Sequence, residues 1–506
     1  MSTGPASDAV APAAFDALRE RIRTRLVETA VPSLAVAVVQ HGRTVWEEGF
    51  GWADREARVP ATPHTMYSLA SISKPMTATA LMVLVQRGLI DLDRPVNAYL
   101  GDAPLRARVG DADDATVRRV AGHTSGLPLH YQFFYADEPQ GPPSRPETIR
   151  RYGHLLWAPG ERYQYSNLGY GVLDYLIARV SGRPYGDFMR EEVFIPLGMT
   201  RASLHVAPRL EPFQALRYGG DGVAYPHYGF DHDGGSALYC SAHDLARFGA
   251  FHLKAHLADQ RAILSEASID AMQQTPPPGS PGEGYAVGWG VQPDAFGHLM
   301  VGHGGGMGGV ATTLRLYPRA GLALVVLANA ADALPHVIAD DIAALLLPGY
   351  RERMEADAAA RARAPAVLLS GEVGPDWEVA PELLGTWRGS VSTYEGEMPL
   401  VLRFGPADAG RPTGSVQARL GRQLWSLVNE PVLRDGWFCG ELAGEIETAD
   451  ARRRPHRVRL DLRLRDGVLN GAAVAVSGVA GDGGAPGRRA GNALSHWAEL
   501  RRGGQC

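Results

Sequence analysis

Alternating and clustered apolar residues divide the chain into a mixed part and a tail with a different pattern. Near the amino end, PSLAVAVVQHGRTVWEEGFGWAD is typical of two strands joined by a tight turn at His41 and Gly42. Four further segments of strand length begin at Tyr285, namely YAVGWGV, HLMVGHG, VATTLRLYP and LALVVLAN. Strands at both ends of this part predict one sheet assembled from distant segments of the chain.

Helical spacing of apolar residues predicts the elements between and after these strands. A helix is expected from about Ser71 to Gln86, and a second one over LGYGVLDYLIARVSG at positions 168–182. Residues 334–347 have the spacing of a third helix after the last strand. Helices packed on one sheet, with a mostly helical insertion, predict an α+β domain over residues 1–350.

Beyond this domain the pattern changes. Residues 351–380 are rich in Ala and Arg and then contain Gly and Pro, so we expect a linker. In VRLDLRLRDGVLNGAAVAV, apolar and charged residues alternate on both sides of a turn at Asp466 and Gly467, as in a half-solvated antiparallel hairpin. With PLVLRF, SVQARL and a strand near Trp437, residues 381–506 predict a small all-β barrel or sandwich.

Composition narrows the classes of partner and location. The 506 residues are 45% hydrophobic and 21% charged, with a formal net charge of −5 and no basic run, so no nucleic-acid partner is expected. No stretch predicts a membrane span, and the amino end lacks the pattern of a secretory signal, so we expect no membrane partner and a cytoplasmic location. Three scattered cysteines, Cys240, Cys439 and Cys506, fit a reducing compartment. We expect them to be small apolar core residues and a thiol in the tail.

The first candidate for chemistry is a lysine in an apolar helix, in LASISKPMTATALM. Among 50 Lys and Arg residues, only Lys74 and Lys254 are lysines. Ser71 and Lys74 are three residues apart and share a helix face. A desolvated lysine can take the serine proton or hold another base anionic, and the helix start stabilises an oxyanion. A helix-capping serine beside a surface-reaching lysine is the structural alternative.

Two further motifs carry polar side chains toward the same site. In ERYQYSNLGYG, Tyr165 can shuttle a proton and Asn167 can orient a substrate carbonyl. The structural alternative is that Tyr165 is a buried core residue and Asn167 caps the following helix. In MVGHGGGMGGV, His303 can donate to the substrate or tune Tyr165. Gly304, Gly305 and Gly306 leave a strand edge without side chains, where a substrate backbone can pair; a glycine-rich turn with a structural histidine is the alternative. HGGG also occurs in α/β-hydrolases, but the G-x-S-x-G motif that they require is absent from this sequence.

Two other polar or aromatic segments are less specific. YPHYGFDHDGG suggests a metal at first sight, but its spacing matches no common site, so we expect no metal and a polar loop over the active site. Its polar residues are His227, Asp231, His232 and Asp233. The aromatic residues of LHYQFFYADEP either wall the substrate cleft or form a core or lid patch; they are Tyr131, Phe133, Phe134 and Tyr135.

Together, these motifs resemble those of the class C β-lactamase and penicillin-binding-protein-like serine hydrolase family over roughly residues 15–350. AGHTSGLP, WAPGERYQYSNLGYG, GLIDLDRPVNAYL, FIPLGMT and GGSALYCSAHDLARF also carry the resemblance. It implies an antiparallel sheet flanked by helices, plus a helical subdomain, and no cofactor. It also implies that Ser71 is the nucleophile, that Lys74 and Tyr165 are the general-base pair and that Asn167 positions the substrate. The implied oxyanion hole consists of the backbone N–H groups of Ser71 and Gly306.

Two features of the sequence make this resemblance more specific. His303-Gly304-Gly305 stands where the family usually has K-T-G, and a mostly neutral histidine makes β-lactamase activity doubtful. H-x-G is instead similar to the D-aminopeptidase, D-amino-acid amidase and esterase branches. In the tail, Gly385-x-Trp387 resembles the first-strand motif of lipocalins. Some family members are similar in having a lipocalin-like C-terminal domain, which shapes access or mediates assembly; a purely stabilising role is the alternative.

The sequence therefore predicts a metal-independent serine hydrolase that forms an acyl-enzyme on Ser71. The family resemblance implies small acyl esters or D-amino-acid-containing amides and peptides as the substrates. Two alternatives stay open: an acyltransferase or thioesterase and peptide cyclase that passes the acyl group to an amine or alcohol, and a non-catalytic binding protein. A homo-oligomer formed through the C-terminal domain is also left open.

Overall fold

A computed structural model describes residues 12–363, 379–406, 414–434, 436–478 and 491–503. Its α-helices are α1 (Asp16–Thr29), α2 (Ser73–Gln86), α3 (Asn97–Leu100), α4 (Val117–Ala121), α5 (Arg145–Tyr152), α6 (Asn167–Ser181), α7 (Tyr185–Phe188), α8 (Asp233–Ser236), α9 (Ala242–His252), α10 (Glu266–Gln273), α11 (Leu334–Leu346) and α12 (Tyr350–Arg363). No described helix has the length and apolar character needed to cross a membrane.

The strands fall into two groups along the chain. The first group is β1 (Ser33–Gln40), β2 (Arg43–Asp54), β3 (Val59–Pro60), β4 (Met66–Ser68), β5 (Arg106–Ala107), β6 (Phe133–Tyr135), β7 (His154–Leu155), β8 (Ala202–Leu204), β9 (Tyr228–Phe230), β10 (Leu238–Ser241), β11 (Gly290–Pro293), β12 (Leu299–Met307), β13 (Val310–Tyr317) and β14 (Leu322–Ala328). The second group is β15 (Gly385–Thr393), β16 (Gly396–Gly405), β17 (Ser415–Leu420), β18 (Ser426–Arg434), β19 (Trp437–Leu442), β20 (Arg457–Arg465), β21 (Val468–Val476) and β22 (Ala493–Arg502).

A seven-stranded antiparallel sheet, in the order β11-β12-β13-β14-β1-β2-β3, forms the centre of the first domain. Strand β1 is apolar at nearly every position because both faces of the sheet are covered. Its even-numbered residues, such as Val36, pack in one core cluster with Ile338 of α11. Its odd-numbered residues, such as Ala37, pack in the other with α2 and α9. The fold is therefore α+β, as predicted.

The first domain confirms several predicted elements and shortens others. The β1–β2 hairpin turns at His41 and Gly42, and α6 and α11 lie where helical spacing placed them. The helix expected from Ser71 begins at Ser73, after a 3₁₀ turn over Ala70–Ile72. The strand expected over YAVGWGV was wrong in its first part, because the strand begins only at Gly290. Its glycine-rich start makes tight turns instead.

The expected linker also differs from the structure. Its first part is helical, since α12 extends to Arg363 and Ala, Arg and Glu are strong helix formers. Positions 364–378 of the predicted linker lie outside the described residues, as does Cys506. The domain boundaries at 350 and 381 stay a prediction.

The second group of strands closes into an eight-stranded antiparallel barrel, β15 to β22. Its hairpin at Asp466 and Gly467 forms as predicted, with both residues in the left-handed region, at φ 48° and 76°. Side chains such as Trp387, Leu402 and Leu460 are buried and belong to one continuous core cluster. The barrel interior is thus filled by its own side chains.

The barrel docks on the first domain through backbone, apolar and charged contacts. Tyr131 and Ala493 exchange two backbone hydrogen bonds, of 3.0 and 2.9 Å. The rings of Trp157 and Trp437 lie 6.1 Å apart within a buried apolar cluster. At its border, Arg465 donates to Glu161 at 2.9 Å. The barrel therefore covers the segment just before Tyr165, the first-domain loop singled out in the sequence.

Candidate active site

Ser71 lies at a strained turn that exposes its hydroxyl. The preceding residue, Ala70, has φ 48°, a left-handed conformation that costs a non-glycine residue roughly 1–3 kcal/mol. Ser71 itself is half-buried, whereas Ile72 and Ser73 are fully buried. The Ser73 hydroxyl accepts a 3.1 Å hydrogen bond from the N–H of Leu238, which fixes the start of α2 against β10. The turn thus leaves the hydroxyl of Ser71 accessible at the start of a buried helix.

Lys74 is completely buried, and its amine is surrounded by oxygens. Nζ lies 2.7 Å from Asn167 Oδ1, 2.9 Å from the Gly235 carbonyl and 3.3 Å from Ser71 Oγ. Burial lowers the pKa of Lys74 well below its ordinary value, and no described carboxylate opposes that shift. Nζ donates to all three oxygens in the structure; once deprotonated, the amine can keep its bonds to Asn167 and Gly235 and accept from the Ser71 hydroxyl instead. This geometry suits a base that accepts the serine proton.

Asn167 and Tyr165 complete the polar surroundings of Ser71. Ser166, not Asn167, caps helix α6, because its hydroxyl accepts from the Gly169 N–H. The Asn167 amide is therefore free to hold the lysine. Tyr165 hydrogen-bonds to Ser71, and Lys74 Nζ lies 4.7 Å from its ring centre.

The protonation states differ from one sequence expectation. One interpretation of the sequence was that Lys74 holds another base in its anionic form, and Tyr165 is the candidate for that base. Dense packing instead raises the pKa of Tyr165 above its ordinary value, although the hydrogen bond with Ser71 opposes the rise. Burial also lowers the pKa of Lys74 well below its ordinary value, so burial favours the neutral form of both groups. Lys74 is the stronger base of the two.

The third motif reaches the same place because β12 packs against the serine turn. Thr312 on the neighbouring β13 donates to the Leu69 carbonyl at 3.0 Å. A Cβ at Gly305 would lie 2.2 Å from that carbonyl oxygen and 2.3 Å from the Thr312 hydroxyl, so only glycine fits. Gly306 is exposed and has open space around it. The structure thus brings the Gly304–Gly306 strand edge beside Ser71; its substrate contacts stay a prediction.

Both ring nitrogens of His303 already have partners in the protein. Nδ1 donates to the Gly304 carbonyl at 2.6 Å, and Nε2 then accepts from the Tyr285 hydroxyl at 3.1 Å. Burial lowers the pKa of His303 to about 3, so the ring is neutral at physiological pH. With both ring nitrogens engaged, this arrangement differs from the expectation that His303 donates to the substrate; tuning of Tyr165, the other expected role, stays a prediction. It leaves no cation at the position of the third motif.

Two positioning residues were not singled out from the sequence. His123, in AGHTSGLP, has its ring centre 4.4 Å from that of Tyr165 and accepts a 3.2 Å hydrogen bond from the Ser166 N–H. Tyr285 fixes His303. Both lie far along the chain from the groups they hold, so residue spacing gives no signal for either. The left-handed φ of His123, 61°, is visible only in the structure.

The expectation of a polar loop over the active site was wrong for Asp231 and His232. Both are buried, where Asp231 accepts from His130 at 2.9 Å and from His232 at 2.7 Å. The ligand atoms of these three residues lie within 4.8 Å of one another, as do those of a second group on the surface, Glu47, His64 and His243. Hydrogen bonds account for the buried group, which lies behind Gly235 and so supports Lys74.

The aromatic segment also has a defined place. Phe133 and Tyr135 are buried with Tyr228 and Phe230, and Ala70 belongs to the same apolar cluster. The residues are therefore core beneath the serine turn, which was one of the two interpretations of LHYQFFYADEP.

Comparison with known proteins agrees with this fold. A family model described as Beta-lactamase matches residues 18–348. The chain belongs to the β-lactamase family of serine hydrolases, and the resemblance drawn from the motifs is confirmed. The unguisins hydrolase ungD' of Aspergillus campestris (strain IBT 28561) is 29% identical over 327 residues, 61% of this chain and 60% of that protein. The chain thus spans about 60% of the length of this relative.

Solved structures extend the likeness to the barrel. The octameric penicillin-binding protein homologue from Pyrococcus abyssi superposes with a TM-score of 0.56 at 23% identity, covering 94% of this chain and 99% of that one. EstCE1, a hydrolase with promiscuous acyltransferase activity, superposes with a TM-score of 0.54 at 20% identity, covering 68% of this chain and 98% of that one. At these identities the comparisons establish the fold of both domains.

The surroundings of Lys74 predict how one substitution changes the pH dependence of acylation. Asn167→Asp places a carboxylate 2.7 Å from Nζ, which raises the pKa of Lys74 by roughly one to three units. Because the deprotonated amine is the reactive form, the ascending limb of the acylation rate moves to higher pH by that amount. Stopped-flow acylation measured across pH checks this. Asn167→Ala is the control, since it removes the hydrogen bond to Nζ without adding a charge; coincident limbs for the two variants would contradict the assignment.

Proposed function

We propose that the protein hydrolyses an ester or amide through an acyl-enzyme on Ser71. The observation that carries this proposal is the fully buried Lys74 amine, whose Nζ lies 3.3 Å from Ser71 Oγ and whose pKa is lowered by burial well below its ordinary value. A helix lysine with only a structural role gains nothing from burial without an anion, because desolvation disfavours its charged form.

The proposed cycle uses groups that lie around Ser71. Lys74 accepts the hydroxyl proton while Ser71 Oγ bonds to the acyl carbon, and the backbone N–H groups of Ser71 and Gly306 stabilise the oxyanion. The bond to the leaving group breaks as Tyr165 gives it a proton, and the Lys74 ammonium reprotonates Tyr165. Water then attacks the acyl carbon while Lys74 accepts its proton; the bond between the acyl carbon and Ser71 Oγ breaks, and the Lys74 ammonium returns the proton to Oγ.

The proposed substrates are small acyl esters or D-amino-acid-containing amides and peptides. The neutral His303 supports this choice, since it offers no positive charge to a substrate carboxylate of the kind that β-lactams carry. The similarity to a protein named as a hydrolase of unguisins supports hydrolysis in general terms. Esterase and D-aminopeptidase activities are both consistent with the site.

Acyl transfer, including thioesterase and peptide-cyclase activity, is the second candidate. It shares the first half of the cycle and is supported by the likeness to EstCE1, described as a hydrolase with promiscuous acyltransferase activity. Ser71 is half-buried rather than enclosed, so water reaches the acyl-enzyme and hydrolysis is favoured. A non-catalytic carrier role is less well supported, because the barrel interior is filled by side chains.

Intact-protein mass spectrometry after brief incubation with acyl donors tests the proposal. We expect a transient acyl adduct with a p-nitrophenyl ester or a D-alanyl amide, and little with benzylpenicillin; a peptidyl thioester tests the second candidate. Ser71→Ala removes the nucleophile, so it should form no adduct and lose turnover by a factor on the order of 10³ or more. Ser73→Ala, a neighbouring serine, should still be labelled. Equal labelling of Ser71→Ala would overturn the proposal.

The partition of the acyl-enzyme separates hydrolysis from transfer. With the best donor, rising concentrations of D-alanine amide or ethanolamine are added, and the ratio of acyl-amine to free acid is measured by chromatography. We expect the acid to remain the main product, since Ser71 is open to water. A dominant acyl-amine product at low amine concentration would make transfer the function.

Self-association through the barrel is a further part of the proposal. Four apolar side chains, which we call the β18 patch, are exposed by 39–89%: Leu424, Leu427, Val432 and Leu433. Such a patch is typical of a protein–protein contact, and the similar Pyrococcus protein is named octameric. Light scattering should give a multiple of the monomer mass that Leu427→Glu reduces, whereas Leu299→Glu, an exposed position outside the barrel, should not. A monomeric wild type would exclude self-association.

The cytoplasmic location stays a prediction.

A further inference from the structure

Three side chains of types that bind metals converge on the surface of the first domain. They are Glu47 of β2, His64 of the turn before β4 and His243 at the start of α9. One ligand atom from each lies within 4.8 Å of the other two. Imidazole nitrogens and carboxylate oxygens are, with thiolates, the ligands that zinc takes in proteins. The catalytic cycle proposed above uses none of these three residues.

The antiparallel pairing of β4 with β10 brings the two histidines together. Met66 is paired with Ser241 at the end of these strands. His64 lies two residues before Met66 and His243 two residues after Ser241, so the two segments continue side by side. The backbone N–H of His243 donates to the Pro63 carbonyl at 3.1 Å. The ring centres of the two histidines are consequently 4.7 Å apart.

A glycine on β2 lets the turn that carries His64 approach Glu47. Side chains two residues apart on a strand point to the same face, so position 49 lies beside Glu47. That position is Gly49, where a Cβ would lie 2.4 Å from the Ala61 carbonyl oxygen. The segment that leads to His64 therefore crosses directly over β2. There, the carboxylate of Glu47 accepts a hydrogen bond from His243 at 2.7 Å.

Hydrogen bonds within the turn fix the backbone of His64. The N–H of Thr62 donates to the Thr65 hydroxyl at 2.9 Å, and the N–H of Thr65 donates to the Thr62 carbonyl at 3.1 Å. The N–H of His64 donates to the Thr62 hydroxyl at 3.2 Å. His243 lies in the first turn of α9, and Glu47 belongs to the central sheet. All three side chains thus extend from an ordered backbone, which lowers the cost of arranging them around an ion.

The three side chains are accessible from solvent. Those of Glu47 and His243 are each 29% exposed, and His64 is exposed. An ion can therefore reach them without opening the fold, whereas the buried His–Asp–His group near Lys74 is closed to solvent. At a protein surface, a Glu–His hydrogen bond by itself contributes little to stability. It also does not explain why a second imidazole lies against the pair.

The charges around the three residues favour a cation. Asp244 acts electrostatically on His243 and adds a second carboxylate beside that of Glu47. Arg247 also acts on His243, but its guanidinium is paired with Asp259 at 2.7 Å, which reduces its repulsion of a bound cation. A divalent ion therefore meets more negative than positive charge at this position.

From these observations we infer that Glu47, His64 and His243 form a surface zinc site. Two imidazoles and a carboxylate supply three of four tetrahedral ligands, and a water molecule from solvent supplies the fourth. Zinc takes the place of the proton that joins Glu47 to His243, and this proton passes to solvent. The bound ion joins β2, the turn before β4 and α9. Because β4 leads directly to the turn that carries Ser71, zinc stabilises the backbone on which the nucleophile is mounted.

Zinc titration of the whole chain tests this site. The protein is dialysed against a chelator, and binding of Zn²⁺ is then measured by isothermal titration calorimetry. We expect one zinc per chain, bound less tightly than in zinc fingers, which have four protein ligands. At a zinc concentration about one hundred times Kd, the Tm should rise by about 3 °C. Co²⁺ bound instead should give the visible absorption of a four-coordinate site.

Variants assign the zinc to these residues. His64→Ala, His243→Ala and Glu47→Gln should each weaken zinc binding by at least about tenfold and remove the rise in Tm. His256→Ala removes an exposed histidine beyond the other end of α9, so it should keep the wild-type affinity. His64→Ala alone decides if another variant does not fold, because His64 is exposed and lies in a turn.

The outcomes separate failure of the zinc site from failure of the proposed function. Absence of stoichiometric zinc binding to the wild type, or equal affinity of the wild type and His64→Ala, would overturn the zinc site. Labelling of Ser71 by acyl donors in the presence of chelator tests the proposed function separately, since the proposed cycle uses no group of the zinc site.

Discussion

The site depends on one constraint, the burial of the Lys74 amine without a carboxylate partner. Desolvation moves the lysine toward its neutral form, and the two oxygens of Asn167 and Gly235 satisfy its N–H groups. A carboxylate at the same distance would raise the pKa of Lys74 and favour its charged form, which cannot accept a proton from Ser71 as the proposed cycle requires. The apolar character of α2 is therefore a chemical requirement as well as a packing one.

The carboxylates near this centre are neutralised by other groups. Helix α8 supplies the Gly235 carbonyl, and Asp174 fixes that helix by accepting from the Gly234 N–H at 2.8 Å. Arg145 contacts both Asp174 and Asp233, at 3.0 and 2.6 Å. The negative charges that hold α8 in place are thus paired with arginine, and Lys74 keeps its low pKa. Arginine suits this role because it stays charged even when buried.

Local spacing in the sequence predicted much of the fold and the core of the site. The apolar β1, the α6 pattern and the Asp466 turn follow from periods of two and 3.6 residues, and Ser71 and Lys74 follow from one helical turn. Contacts between distant segments could not be predicted in this way. Sequence spacing could not show that His123 supports Tyr165, or that His130 meets Asp231 across a hundred positions. For the same reason, Asp231 was expected on the surface although its partners bury it.

The docking of the barrel has a consequence for how the protein is made. Strand β22, which pairs with Tyr131 through Ala493, is synthesised after every element of the first domain. Until it forms, the ribosome-bound first domain presents Leu156 and Trp157 to solvent together with unpaired backbone groups at Tyr131. Such a surface attracts chaperones and proteases. Cellular quality control therefore has a means to distinguish chains whose barrel is complete from those broken off early in translation.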